Sequence, residues 1–286
     1  MRIHAATHRV HRRSLQTLGA ASLLMLAMTW WVGSVKAAEI LIGGTGAAIG
    51  TMQALGAEYS RLNPKASVKV LPSLGSGGGV KALLAGKISI AVTSRPLTEA
   101  ERGKNLKETE IARTPIVIVT GVKNKVSNLT FSELAALYSG KTAAWPDGTP
   151  VRPILRPADD IDTVVLKTIS PEVADAVVAA GKRPGMNIAS TDTASADELE
   201  RVPGAFGTSS LSIIVTEKRA LKVITLNGVV PMVRTLEDKS YPYHKAIHLV
   251  THESVPPDVA AFLKFVRSPA GESILNIAGN LASAVR

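Results

Sequence analysis

With 286 residues, 45% of them apolar, the chain is long enough for one large or two ordinary domains with a packed interior. It has no cysteine, which excludes disulfides, a thiolate nucleophile, a thiolate metal site and a lipid anchor on cysteine. The formal net charge of +10 overstates any case for a polyanionic partner: the first 37 residues hold five Lys/Arg and no acid, so the remaining 249 carry +5 and only nine aromatic side chains. That modest positive field suits small anions, without the clustered charge and stacking aromatics of a nucleic-acid surface.

The first 37 residues read as an export leader. Arg2, Arg9, Arg12 and Arg13 precede an apolar stretch over 17–34, and Val35-Lys36-Ala37 puts small residues at the −3 and −1 positions of a cleavage site after Ala37. Retained, the leader would be a membrane anchor, because its apolar run approaches the ~20 residues that span a bilayer. Arg12-Arg13-Ser14-Leu15 faintly resembles a twin-arginine signal, and the export route stays open. Either way the rest of the chain is expected outside the cytoplasm, in the periplasm.

From Glu39 onward short apolar runs alternate with helical patterns, the order of βαβ units around a mostly parallel sheet, so the fold class is α/β. A strand is predicted over 40–42. A helix over 49–62 follows, from Ile49, Met52, Leu55, Tyr59 and Leu62 at helical spacing, closed by Asn63-Pro64. Next come a strand at 68–71, a glycine loop at 75–79, a short helix at 80–85 and a strand at 88–92. The β-branched run 114–122 reads as a fully buried strand. Helix 129–138, strand 151–155 and helices 161–169 and 171–180 follow, then a turn and strand over 204–215 and an extended stretch over 241–251. Helices at 257–267 and 271–278 end the chain.

Three segments stand where strands end and helices begin: 44–49, 75–79 and 93–96. Their backbone N–H groups, Gly46, Ala47, Ala48 and Gly77 among them, together with Ser76, Thr93 and Ser94, can converge on a negative charge, because a helix start exposes amides and the positive end of its dipole. Open α/β sheets hold ligands at the carboxyl ends of their strands. Arg95 and Arg156 each follow a strand directly, and a guanidinium fork suits an oxyanion. For Arg95 a structural salt bridge is the competing expectation.

Other signals fail on spacing. Gly44-x-Gly46-x-x-x-Gly50 brushes against a dinucleotide fingerprint, but no acid closes the second strand, and no Lys-Ser/Thr follows the glycines as in a P-loop. His244, His248 and His252 fall four apart in an extended stretch, where fourth neighbours stand roughly 13 Å apart, too far for one metal. Ser76 lacks a nucleophile frame and an identifiable base, so no enzyme, metal or cofactor is expected.

The segments GGTGAAIG at 43–50, GSGGGVKALLAG at 75–86, AVTSRPLTEAE at 91–101, FSELAALYSGKTAAWPDG at 131–148, PGAFGTS at 203–209, YPYHKAIHLV at 241–250 and FLKFVRSPAGESIL at 262–275 occur in an order that resembles the periplasmic phosphate-binding proteins of phosphate ABC transporters. The resemblance implies a two-lobed, type II periplasmic-binding-protein fold with two hinge crossings: lobe one over 38–118 plus 244–286, lobe two over 119–243. It implies a monomer that captures a small oxyanion, phosphate favoured, and presents it to an inner-membrane ABC transporter permease, with no nucleic acid involved. Ser76 would donate to the ligand, Ser94 would take the position after strand three, and Arg156 would be the second lobe's arginine.

The chain also departs from that family. Ala48-Ile49 stands where the family has threonine and phenylalanine, Ser94 where it often has an aspartate that accepts the proton of phosphate, and 159–163 where it has a serine-glycine-threonine turn, leaving Thr163 as the comparable donor. Losing the aspartate weakens discrimination against proton-free anions such as sulfate. The acids at 159–162 are expected to cap a helix or pair with Arg156 or Arg95. An anion-sensing or interaction protein with an altered site, uncoupled from transport, is the alternative reading.

Overall fold

The computed structural model describes residues 39–283, so the leader read over 1–37 lies outside the described residues. Strand β1 (Glu39–Gly44) ends on a glycine at φ 149°, where a Cβ would stand 1.9 Å from the Val92 carbonyl oxygen, so only glycine fits this close approach to the neighbouring strand. A 3₁₀ turn, Gly46–Ala48, leads into α1 (Ile49–Leu62), which buries the stripe Met52, Leu55 and Tyr59. Strand β2 (Ser67–Val70) pairs parallel with β1.

Helix α2 (Gly75–Leu84) departs from expectation: the glycine run read as a loop is itself helical from its first residue. Packing overrides the poor helix propensity of glycine. Gly79 lets the helix lie directly on β1, where a Cβ would come within 2.8 Å of the Gly44 Cα. Strand β3 (Ile90–Thr93) is wholly buried, and the short α3 (Glu99–Arg102) is held by a Thr98/Glu101 capping box.

Strand β4 (Leu106–Gly121) begins eight residues before the expected apolar run. Its first part is polar, and what makes it a strand is the ladder with β10 (His244–His252) rather than its own pattern. Then come β5 (Asn128–Leu129), α4 (Phe131–Ser139), capped by Thr130 and closed by Gly140 at φ 80°, and β6 (Arg152–Leu155). Helices α5 (Ile161–Leu166) and α6 (Pro171–Lys182) agree with the sequence reading to within a few residues.

Strand β7 (Asn187–Ile188) and helix α7 (Asp192–Arg201) have no counterpart in that reading; α7 buries only Ala196 and Leu199 among apolar side chains, so its periodic signal is weak. The turn and strand expected over 204–215 divides into β8 (Ala205–Ser210) and α8 (Leu211–Thr216). The switch is set by tertiary bonds, the Ser212 amide donating to Thr114 Oγ1 (3.1 Å) and its hydroxyl to the Ala47 carbonyl (2.6 Å). After β9 (Leu221–Leu226) and α9 (Val233–Glu237), the chain returns through β10 and ends in α10 (Pro257–Val266), α11 (Pro269–Ile277) and β11 (Leu281–Ala282).

The strand order is β2-β1-β3-β10-β4-β8-β6-β7, with β9 and β11 joining β4 and β5 joining β9. β4 pairs with β10 over 106–115 and with β8 over 116–120, so one strand serves both parts of the sheet. Each part has its own apolar core. In the first part Ile42, Met52, Leu55, Ile90, Phe262 and Leu275 form one cluster and Val80, Leu83, Ile88 and Val250 a second; in the other part Leu134, Tyr138, Trp145, Val173, Phe206 and Ile224 form one and Val117, Val119, Ile154 and Leu199 a second. This is the expected two-lobed α/β fold.

Candidate functional site

A cavity of about 320 Å³ lies where the two lobes meet, at the carboxyl ends of β1, β3 and β6. Thr45, Ser76, Gly77, Ser94 and Arg95 line it from one side, and Arg156, Asp159, Asp160, Ser190, Thr191 and Asp192 from the other. Ser76 sits in the first turn of α2; its hydroxyl accepts from the Ser94 amide (3.1 Å) and contacts the Ser94 hydroxyl at 3.2 Å, which fixes both side chains at the rim.

Both arginines are engaged within the protein. Arg95 donates through both terminal nitrogens to Glu101 (2.8 and 3.0 Å) and also to the Pro96 carbonyl (2.9 Å), so the salt bridge expected as the alternative forms while the side chain still lines the cavity. That hydrogen-bonded guanidinium holds the Glu101 carboxyl down at about 2. The Arg156 side chain is only 3% exposed. Its Nε and Nη2 donate to the Asp160 carboxylate (3.4 and 2.7 Å) and its Nη1 to the Ala189 carbonyl (3.0 Å). Burial works against its charge, but Asp192, Asp162 and Asp160 outweigh that and hold the guanidinium above its ordinary value. Asp160 also accepts from the Asp162 amide (3.0 Å), so one acid both caps α5 and pairs with the arginine.

Beneath the cavity is an ionic cluster that the sequence reading missed. Lys245, wholly buried on β10, donates to Asp192 Oδ1 at 2.7 Å. Its Nζ also lies 2.5 Å from Asp162 Oδ1, an ion pair between two fully buried side chains. Asp192 Oδ2 accepts from Thr45 Oγ1 (2.9 Å) and the Ala47 amide (3.3 Å), while Oδ1 stands 3.9 Å from Arg156 Nη2. Burial alone would push the Asp192 carboxyl up, yet Lys245 and Arg156 overcome it and hold the group well below the usual carboxylate range. Lys245 is kept charged in the same way: burial opposes it, and Asp162 and Asp192 prevail. One signal was present in the sequence: Lys245 alternates with Ile247, so an inward-facing strand position carries a lysine that must find buried acids.

Of the ten residues the sequence singled out, five line the cavity: Ser76, Gly77, Ser94, Arg95 and Arg156. The other five stand elsewhere. Gly46, Ala47 and Ala48 are buried beneath the start of α7, where a Cβ on Gly46 would stand 3.0 Å from the Asp192 Cβ, and the Ala47 amide already donates to Asp192. Thr93 is fully buried, with its hydroxyl on the Arg95 carbonyl (2.7 Å). Thr163 donates to the Arg156 carbonyl (3.2 Å) and lines a separate cavity of about 230 Å³ beside Tyr138 and Leu166.

Comparison with known proteins agrees with this architecture. A phosphate-binding protein PstS 2 of Streptococcus agalactiae is 30% identical over 113 residues, 40% of this chain, and the match spans only 38% of that relative's length. A phosphate-binding protein PstS of Borreliella burgdorferi is 22% identical over 250 residues, covering 85% of this chain and 89% of the relative. Among solved structures, a phosphate ABC transporter substrate-binding protein with bound phosphate from Clostridium perfringens superimposes with a TM-score of 0.71 at 21% identity, over 86% of this chain and 100% of the other, which speaks to the fold. The family model for a PBP superfamily domain spans residues 32–270, most of the chain, and the chain therefore belongs to the PBP superfamily.

Proposed function

We propose that the protein is a periplasmic solute-binding protein that captures a small oxyanion, phosphate in the first place, between its lobes and presents it to an ABC transporter permease. The observation that carries this reading is the cavity itself, where the amide-rich start of α2 with Ser76 and Ser94 faces Arg156 across the lobe boundary. A guest there would draw hydrogen bonds from both lobes only when they are together, so it would shift an open and closed equilibrium toward the closed form. The hinge in this proposal lies in β4 near 118–119 and ahead of β10 near 243–244. Delivery to the periplasm rests on the leader at 1–37, and the proposed binding unit is a monomer without cofactor or catalytic step.

A second reading, an anion sensor or interaction protein uncoupled from transport, draws support from the carboxylates of Asp160 and Asp192 on donors that a guest would use. Calorimetric titration with phosphate, sulfate, molybdate and small carboxylates tests the first reading. Binding of phosphate with one site per chain is expected, and heat-silent titrations with all four classes would overturn it.

A further inference from the structure

The loop between β1 and α1 is where a binding protein of this architecture would offer donors to a guest, and here a carboxylate of the opposite lobe already holds them. The contact spans 147 residues of sequence from Thr45 to Asp192. Both oxygens of Asp192 are engaged: Oδ2 by the Thr45 hydroxyl and the Ala47 amide, Oδ1 by Lys245, with Arg156 beyond at 3.9 Å. A carboxylate is itself a planar oxyanion, and amides, a hydroxyl, an ammonium and a guanidinium are the donors that would serve phosphate. The fit is close, since a Cβ on Gly46 would stand 2.9 Å from Thr193 Oγ1 and 3.0 Å from the Asp192 Cβ.

We infer that Asp192 is a resident anion: its carboxylate occupies the donors of the β1 to α1 loop, latches the two lobes together through Thr45, Ala47 and Lys245, and competes with any guest for those groups. The inference rests on the anion-capture reading only for the identity of the guest. A guest entering the cavity meets Ser76, Ser94 and the unshared N–H groups of Arg156, and gains Thr45 and Ala47 only by displacing Asp192. Occupancy is thereby a contest between two anions for one set of donors, and the guest's apparent affinity falls by the share of molecules in which the carboxylate is seated.

The test compares the full chain with Asp192→Ala, using small-angle scattering of each protein alone and calorimetric titration of each with inorganic phosphate and with sulfate. The variant keeps the Lys245 and Asp162 pair. It is expected to scatter as a more open particle and to bind phosphate at least about tenfold more tightly than the parent, a gain of about 1.4 kcal/mol. Superimposable scattering curves, or equal affinities, overturn the inference. If neither protein binds either anion, the anion-capture reading fails and the scattering comparison alone decides the latch: opening in the variant supports it, and identical curves end it. If Asp192→Ala does not fold, Gly46→Ala, which crowds Asp192 without altering charge, is read by the same two measurements against the same outcomes.

Discussion

Lys245 of β10 and Asp192 at the first turn of α7 meet at 2.7 Å, with the lysine fully buried and the aspartate side chain 7% exposed. Removing the cation should leave Asp162 and Asp192 facing each other in the interior. Lys245→Met is therefore expected to cost about 3–5 kcal/mol, read as a fall in the urea midpoint. Adding Asp162→Asn and Asp192→Asn to the same chain should recover most of that loss, because no buried charge is then left unpaired. The pH dependence follows from the signs. Asp192 is depressed in the folded state, so its contribution is full above the ordinary carboxylate range and fades only in strong acid; Lys245 is raised, so its contribution fades only as pH climbs through its folded value. The parent's contribution from this pair should be flat from about pH 5 to about pH 9. In Lys245→Met burial and mutual repulsion raise the two acids, so the variant should recover stability as pH falls and the difference should narrow toward acid.

Arg156→Ala should abolish anion binding by titration, and it should also destabilise the protein, by about 2–4 kcal/mol, because Asp160 then loses its bidentate partner in a half-buried site. Arg156→Ala with Asp160→Asn separates the two effects: stability should return in a denaturation curve while binding stays lost. Wild-type affinity in either variant would remove Arg156 from the site.

Glu101 is held at about 2, against an ordinary 4.5, by the Arg95 guanidinium. A depressed carboxyl adds stability that is complete above about 4.5 and is lost as pH falls from there toward 2. Glu101→Gln should remove that contribution, on the order of 2 kcal/mol given its partial exposure, and flatten the stability profile across the same window. Thermal melts at pH 3 and pH 6 check it: the parent should lose more than the variant between them.

Gly79→Ala should destabilise by about 1–3 kcal/mol, since the new Cβ meets backbone at 2.8 Å from the Gly44 Cα and cannot be accommodated by a rotamer change. The strain should push the N-terminal half of α2 off β1 and weaken the proposed anion binding through Ser76 while leaving the far lobe's core in place. Titration and a melt measure the two consequences separately, and an unchanged melt would show that α2 moves freely against β1.

Local chemistry was legible wherever one segment carries its own signal. The stripe of Met52, Leu55 and Tyr59 marks α1, and the β-branched run in β4 marks a buried strand. Elements whose stability comes from partners were illegible or misread: α7 has too few apolar positions, the first half of β4 is polar, and the glycines of α2 look like a loop until β1 is packed against them. The order of motifs, long in reach though short in each piece, was enough to indicate the two-lobed family.

By itself the sequence determined the α/β class, the order of most elements and the kind of donors available to an anion, because propensity, periodicity and helix starts act over a few residues. Only the tertiary structure decided which of those donors face a cavity and which are already held. That depends on charges brought together from positions as far apart as Thr45, Arg156, Asp192 and Lys245, and Coulombic pairing in a buried site follows distance in space, which no local spacing encodes.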